Sequence, residues 1–352
     1  MKKDEIVESV CNPEEKDNKK TSVIMGRKKR RQKKLVLMIL LLLVTGVMLG
    51  TSTYAWFTSN KTVNVNNIKV NVAAQNGIQI SVDGTSWKSI VQSDDIKGAT
   101  AKYAAAVNQI PTAIEPVSTV GKMGADGKME MFHGVIDTNE GGDYILTATK
   151  SVETPNNDTG KFIAFDLFFR VTKDTSLYLT SNSGAKYTGD KIPGIENASR
   201  FAFLVLGNTN SGSSPDVIQS MRGNQGVYIW EPNYDVHSNG GVRNAYDTYG
   251  IVVNNSGNGA ILYDGIVSDI KSDEGILIGK ANSQMYPNLF KRVNVDYLTG
   301  ANFTNSVSIF GLKSGITKVR VYIWLEGQDV DCENNSSVGN IDFMFELSAN
   351  PS

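Results

Sequence analysis

From residue 63 onward the chain alternates apolar and polar positions with the two-residue period of a strand whose two faces meet different surroundings. Val63, Val65, Ile68, Val70 and Val72 keep that spacing with one slip at Asn66-Asn67, which predicts a strand carrying a bulge. A second run, GIQISVDG at 77–84, closes on an Asp-Gly turn signal. The clearest is KFIAFDLFFRVT at 161–172, where Ile163, Phe165, Leu167, Phe169 and Val171 share one face. Further strands are predicted over 143–150, 176–180, 199–207, 226–230, 275–279, 306–312, 318–325 and 340–347, most of them separated by Gly, Asn, Ser or Pro clusters. Helical patterning is confined to 94–107 and to 213–221. Residues 121–142 and 232–259, rich in Gly or Asn, read as long surface excursions. Together these elements predict an all-β fold, an antiparallel β-sandwich of jelly-roll-like kind with long loops, preceded by one N-terminal hydrophobic helix.

The first 55 residues follow different rules. Residues 1–26 are polar and mixed in charge; Arg27, Lys28, Lys29, Arg30, Arg31, Lys33 and Lys34 then form a basic run of the kind that stays cytoplasmic. Residues 35–50 are apolar except for Thr45. At a rise of about 1.5 Å per residue they cover about 24 Å, short of the ~30 Å hydrocarbon layer. Extension through TSTYAWF brings the length to about 34 Å, with Tyr54 and Trp56 at the interface. Thr53 and Ala55 are small enough for a signal peptidase pocket, so a cut before Trp56 is chemically reasonable. A released protein and an uncleaved anchor through 35–57 both fit. The expected organisation is a basic cytoplasmic leader over 1–34, a signal or transmembrane segment over 35–55, and an extracellular β-domain over 56–352.

Charge sharpens this picture once the leader is set aside. It holds 12 of the 35 Lys and Arg and 6 of the 36 Asp and Glu, so the remainder carries 23 against 30. A mildly acidic body argues against nucleic acid as a partner, because such binding needs clustered cations. Cys11 and Cys332 are the two cysteines, one on each side of the apolar run, so no disulfide is expected within the body. His133 and His237 stand in no HExxH pattern and read as isolated surface or edge residues. SGAK at 183–186 and SDIK at 268–271 match SxxK without the SDN and KTG elements that accompany it in serine hydrolases. The chain is therefore expected to be non-catalytic. Two acidic stretches have the oxygen ligands that calcium requires: Asp137, Asn139 and Asp143 in one, Asp329, Asp331 and Glu333 in the other. Solvated turns are the plainer reading of both, and calcium is the one cofactor candidate.

The leader junction and the last strand carry a family resemblance. A basic leader, an apolar run ending in small residues, the stretch TYAWFTSN and a closing aromatic strand IDFMFELSA resemble the TasA/camelysin group of exported Gram-positive matrix proteins. The resemblance implies a precursor cut before an aromatic start, here between Ala55 and Trp56, and a jelly-roll subunit that donates its N-terminal segment to the next copy. The donated strand would then be Trp56 to Val65, with Trp56 and Phe57 at its start and Val63 and Val65 as its pocket-filling face. The leader here is longer and the body larger than the family's.

Two functional classes follow. One is an exported, cell-surface or extracellular matrix structural protein, a biofilm fibre subunit that associates with itself or with other surface proteins. The other is a membrane-anchored binding module that reads glycans or wall polymer through aromatic loops such as Tyr228-Ile229-Trp230 and 234–249.

Overall fold

The computed structural model describes positions 33, 34, 36, 38 and 39, and then residues 62–72, 77–99, 103, 106, 108–142, 144–154, 159–188, 194–232, 236–243, 275–279, 296–299, 307–327, 329, 331–332 and 339–349. Contacts divide the chain into two units, Met1–Ser52 and Thr53–Ser352. In the first, the described positions are helical, with Val36, Met38 and Ile39 exposed. Among the described residues no helix is long and apolar enough to cross a membrane. Most of the apolar run over 35–57, including Thr53, Ala55, Trp56 and Phe57, lies outside them.

The second unit is an all-β sandwich. One sheet is built on β1 (Val63–Val72) and β17 (Asn340–Ser348), which lie side by side and parallel. β3 (Ile90–Gln92) and β4 (Ala113–Ile114) flank β1 on its other edge. β9 (Thr175–Leu179), β10 (Gly184–Thr188) and β15 (Val307–Leu312) extend the sheet beyond β17. The facing sheet runs in the order β14 (Asp296–Thr299), β12 (Val227–Glu231), β11 (Ser199–Thr209), β16 (Gly315–Leu325), β8 (Ile163–Val171), β2 (Gln79–Ser81). The bulge expected at Asn66-Asn67 is present: Val65 pairs with Ile341, and Asn67 with Asp342.

The interface between these sheets is aromatic. Phe201 of β11 meets Phe343 and Phe345 of β17 edge-on, with centroids 5.7 and 5.0 Å apart. Phe203 touches Phe310 of β15 and Phe345. Edge-to-face pairs suit the ring quadrupole, and each ring removes a large apolar area from water. Phe165, Leu167 and Phe169 of β8 and Val319, Val321 and Ile323 of β16 fill the same layer, as their two-residue spacing requires.

A third layer lies on the far face of the second sheet. β5 (Ser118–Met123), β6 (Met129–Thr138), β7 (Tyr144–Ser151) and β13 (Gly275–Gly279) form a separate antiparallel sheet. Its Met129 and Met131 pack with Ala202, Leu204, Ile229, Tyr322 and Trp324, the outward residues of β11, β12 and β16. Helix α2 (Pro215–Ser220) and Tyr103 cover Phe168 beside them. The 121–142 segment is therefore mostly strand, which corrects its reading as a surface excursion. The helix expected over 94–107 is the shorter α1 (Ser93–Ala99); Tyr103 and Ala106 are buried but not helical. Gly315 opens β16 at φ 116°, and an added Cβ would sit 2.2 Å from the Thr209 carbonyl oxygen, so that turn admits only glycine.

Phe201 is fully buried and contacts Trp230, Phe343 and Phe345. Phe201→Ala is expected to cost about 3–5 kcal/mol, read as a lower denaturant midpoint with an unchanged slope.

Candidate functional site

Three features of the second unit are built from unusual residues: the β1 ladder and two buried charge clusters.

β1 is the strand that follows the leader, and its inward residues Val63, Ile68, Val70 and Val72 are buried in the sandwich core. Each of the last three stands opposite a core residue of β17: Ile68 with Phe343, Val70 with Phe345, Val72 with Leu347. Val65 is partly buried against the same core. Backbone bonds hold both edges, Asn64 N–H to Gly339 O at 3.0 Å on one and Val72 N–H to Ser89 O at 2.8 Å on the other. Of the expected donor segment, Val63 and Val65 thus lie in β1 beside β17 of the same chain. Most of the anchoring face lies farther along, at Ile68, Val70 and Val72.

The first charge cluster sits under the third layer. Arg320 of β16 donates to Asp166 of β8 at 2.7 Å and to Glu153 at 2.5 Å. Lys318 lies 3.1 Å from Asp166 and donates to the Gln219 carbonyl at 2.7 Å. Tyr103 donates to Asp166 at 3.0 Å and Tyr322 to Glu153 at 2.5 Å. Burial alone would push the Asp166 carboxyl up, but the Arg320 and Lys318 charges outweigh it and hold the group below the usual carboxylate range. Burial pushes both tyrosine hydroxyls up, so they remain donors. A cleft with about 80 Å³ of free space opens beside Lys318 and Arg320, with Lys128 and Arg222 adding to its basic lining. Both carboxylates are held by cations and hydroxyls, an arrangement that locks the covering layer to the sheet.

The second cluster lies where β11 begins and β16 ends. Arg200 donates to Asp329 and contacts Glu231, both at 2.7 Å. Asp329 accepts the Asp331 N–H at 2.8 Å, and Asp331 accepts the Ser238 N–H at 2.7 Å. His237 Nδ1 lies 2.9 Å from Asp331 Oδ2. His237, Asp329 and Asp331 offer ligand atoms all within 4.8 Å of one another, and all three residues are buried. Burial alone would lower the His237 pKa, but the Asp331 hydrogen bond and the charges of Asp329, Asp331 and Glu231 raise it overall.

This geometry corrects two expectations. Asp329 and Asp331 are buried rather than part of a solvated turn, and His237 is neither isolated nor at the surface. Glu333 lies outside the described residues. In the other acidic stretch, Asp137 pairs with Ile145 one residue before the end of β6, Asn139 is exposed at the hairpin turn and its carbonyl accepts the Gly142 N–H, and Asp143 lies outside the described residues. The aromatic-loop reading also changes: Trp230 is fully buried against Phe201 and Tyr228 packs on Phe310. Trp230 offers no open platform for a sugar, and Tyr234, Tyr246 and Tyr249 of the other loop lie outside the described residues. Trp324 is core, as its place in an alternating strand predicts, while Trp87 lies under Arg170.

Arg320, Asp166, Lys318 and Glu153 were not singled out by sequence reasoning. The available signal was the outward phase of β16, where Tyr322 and Trp324 share a face with Lys318 and Arg320: aromatic residues there call for a covering layer. No family model, no curated protein and no solved structure matches the chain.

Removing Arg320 leaves two buried carboxylates short of their main cation. Arg320→Met is expected to cost about 3–5 kcal/mol in denaturant unfolding. A folded pKa of Asp166 below its unfolded value near ~3.9 contributes stability that is present above that pH and lost as pH falls through the folded pKa. Stability measured from pH 5 to pH 2 should therefore decline, and less steeply in Asp166→Asn.

Proposed function

We propose that this chain is an exported, non-catalytic structural protein of the cell surface or extracellular matrix, whose β-sandwich subunits associate by exchanging β1. The observation that carries the reading is the seat of β1: a strand placed directly after an apolar leader, parallel to the last strand of the chain and inserted between β17 and the β3–β4 edge. Burying four aliphatic side chains contributes roughly 1.5–3 kcal/mol each, which is an upper estimate. The total is comparable with the whole stability of a typical domain, ~5–15 kcal/mol. A sandwich whose own β1 is withdrawn therefore presents a groove that strongly favours refilling, and β1 of a second copy fits it residue for residue. The exchanged unit in this reading is the whole of β1, through Val72, rather than a segment ending at Val65. Cleavage between Ala55 and Trp56 frees the strand; survival of that bond leaves the same domain tethered through 35–57.

A chain beginning at Trp56 is expected to form high-mass assemblies in light scattering and electron microscopy. A variant lacking 56–72 should lose them and should bind a peptide of sequence VNVNNIKVNV. A 56–352 protein that stays monomeric at high concentration rules strand exchange out. N-terminal sequencing of the protein from culture then separates the two export outcomes: Trp56 for release, Met1 for an anchor.

A further inference from the structure

We propose that the cleft over Lys318 and Arg320 is a binding site for a tetrahedral oxyanion, phosphate or sulfate, free or as an ester. The site uses no residue of β1 and is independent of strand exchange. Three observations carry it.

The first is convergence. Four cations line the cleft and come from three elements: Lys128 from the β5–β6 hairpin, Arg222 from the segment after α2, and Lys318 and Arg320 from β16. Backbone bonds fix both contributors at the rim. The Gly124 N–H donates to the Lys128 carbonyl at 2.8 Å and closes the hairpin. Gly223, next to Arg222, donates its N–H to the Leu206 carbonyl of β11 at 2.6 Å, and a Cβ there would meet that oxygen at 2.7 Å. A carboxylate presents two oxygens in one plane, whereas a tetrahedral anion presents oxygens in several directions and can meet donors arriving from three sides. The free space of about 80 Å³ is several times the ~10–15 Å³ that a single water needs, so an anion of this size fits.

The second is open donor capacity. Arg320 is committed to Asp166 and Glu153. Lys318 uses two of its three N–H donors on Asp166 and the Gln219 carbonyl, and its other neighbours are the faces of Tyr103 and Phe168, with centroids 6.0 and 5.6 Å away. Lys128 reaches Glu153 at long range, 3.5 Å to its carbonyl oxygen and 3.9 Å to Oε2. Arg222 is exposed and has no hydrogen bond or ion pair among the described residues. The rim therefore holds a guanidinium fork and an ammonium that are free to take an anion.

The third is charge. Counting Glu153 with the lining, four cations face three carboxylates. Of these Asp126 is turned back on its own hairpin, where its Oδ1 accepts the Lys128 N–H at 3.2 Å. Burial lowers the Lys318 pKa, and the Arg320 and Arg222 charges lower it further against the pull of Asp166. The ammonium thus stands where negative charge is still short, and an anion beside it supplies that charge.

The test is calorimetric titration of the full-length chain, purified in non-ionic detergent, with inorganic phosphate, sulfate and methyl phosphate at low ionic strength. At least one should bind at one equivalent, and added sodium chloride should weaken it. Methyl phosphate bound as tightly as inorganic phosphate marks a site for esters; preference for inorganic phosphate or sulfate marks a site for the free ion. Arg222→Gln should weaken binding at least about tenfold and Lys128→Gln at least about threefold. Lys186→Gln, on β10 of the other sandwich sheet, should leave it unchanged. Circular dichroism melts identify any variant that fails to fold, in which case the wild-type preference over acetate decides. Acetate bound as tightly as the tetrahedral anions overturns the site, as does equal affinity in folded Arg222→Gln and wild type. Absence of binding by all three anions at millimolar concentration overturns it too, leaving the cluster as a lock on the third layer.

Discussion

Burial of β16 on both faces is the constraint on which the rest of this structure depends. All eleven of its residues are removed from solvent, one face by the aromatic layer of the sandwich and the other by the third sheet, α2 and the segment carrying Tyr103. A strand so placed must satisfy every polar side chain it carries from within the protein, because an unpaired buried charge costs several kcal/mol. Lys318 and Arg320 therefore find Asp166, Glu153 and the Gln219 carbonyl, and Tyr322 finds Glu153. At the far end of the sheet Arg200 plays the same part for Glu231 and Asp329. The Lys318–Arg320 cluster is thus a consequence of the third layer, and through Glu153 it also holds that layer in place.

That layering sets how much of the molecule could be read in advance. Where one face of a strand meets the core and the other meets something more polar, period-two alternation locates it well: β1, β8 and β17 fall where the spacing predicts, and the slip at Asn66-Asn67 is a bulge. The third layer was harder to see because its sequence is unlike a core. Residues 121–142 hold Gly, Asp, Lys and Asn at their turns, and the apolar contacts come from two methionines, whose packing depends on the outward face of another sheet. Residues 94–107 have helix-forming composition, but among the described residues Ser93–Ala99 form α1, and Tyr103 is used instead to cap Asp166 beside Phe168. Propensity loses there to a buried carboxylate that needs a donor.

The same reasoning explains the uneven reading of the chemistry. Asp329 and Asp331 stand out as acidic residues in any scan for cation ligands. Their partner His237 is 92 residues earlier than Asp329 in the chain, inside a segment without periodicity, and only the fold brings them together. Trp230 drew attention as a contact residue because it lies in a short aromatic run, yet Phe201 directly across the β11–β12 pair makes it core.

No side chain of either charge cluster comes from β1, so its hold rests on ladder bonds, aliphatic burial and a few bonds such as Asn66 to Asp342. Native-state hydrogen exchange on the second unit tests this most directly. If β1 is an exchangeable strand, the amides of Ile68, Val70 and Val72 exchange through a partial opening several kcal/mol less costly than the global unfolding that exposes Val319 and Val321. Equal protection of the two strands, with β1 released only when the whole domain unfolds, would contradict the account.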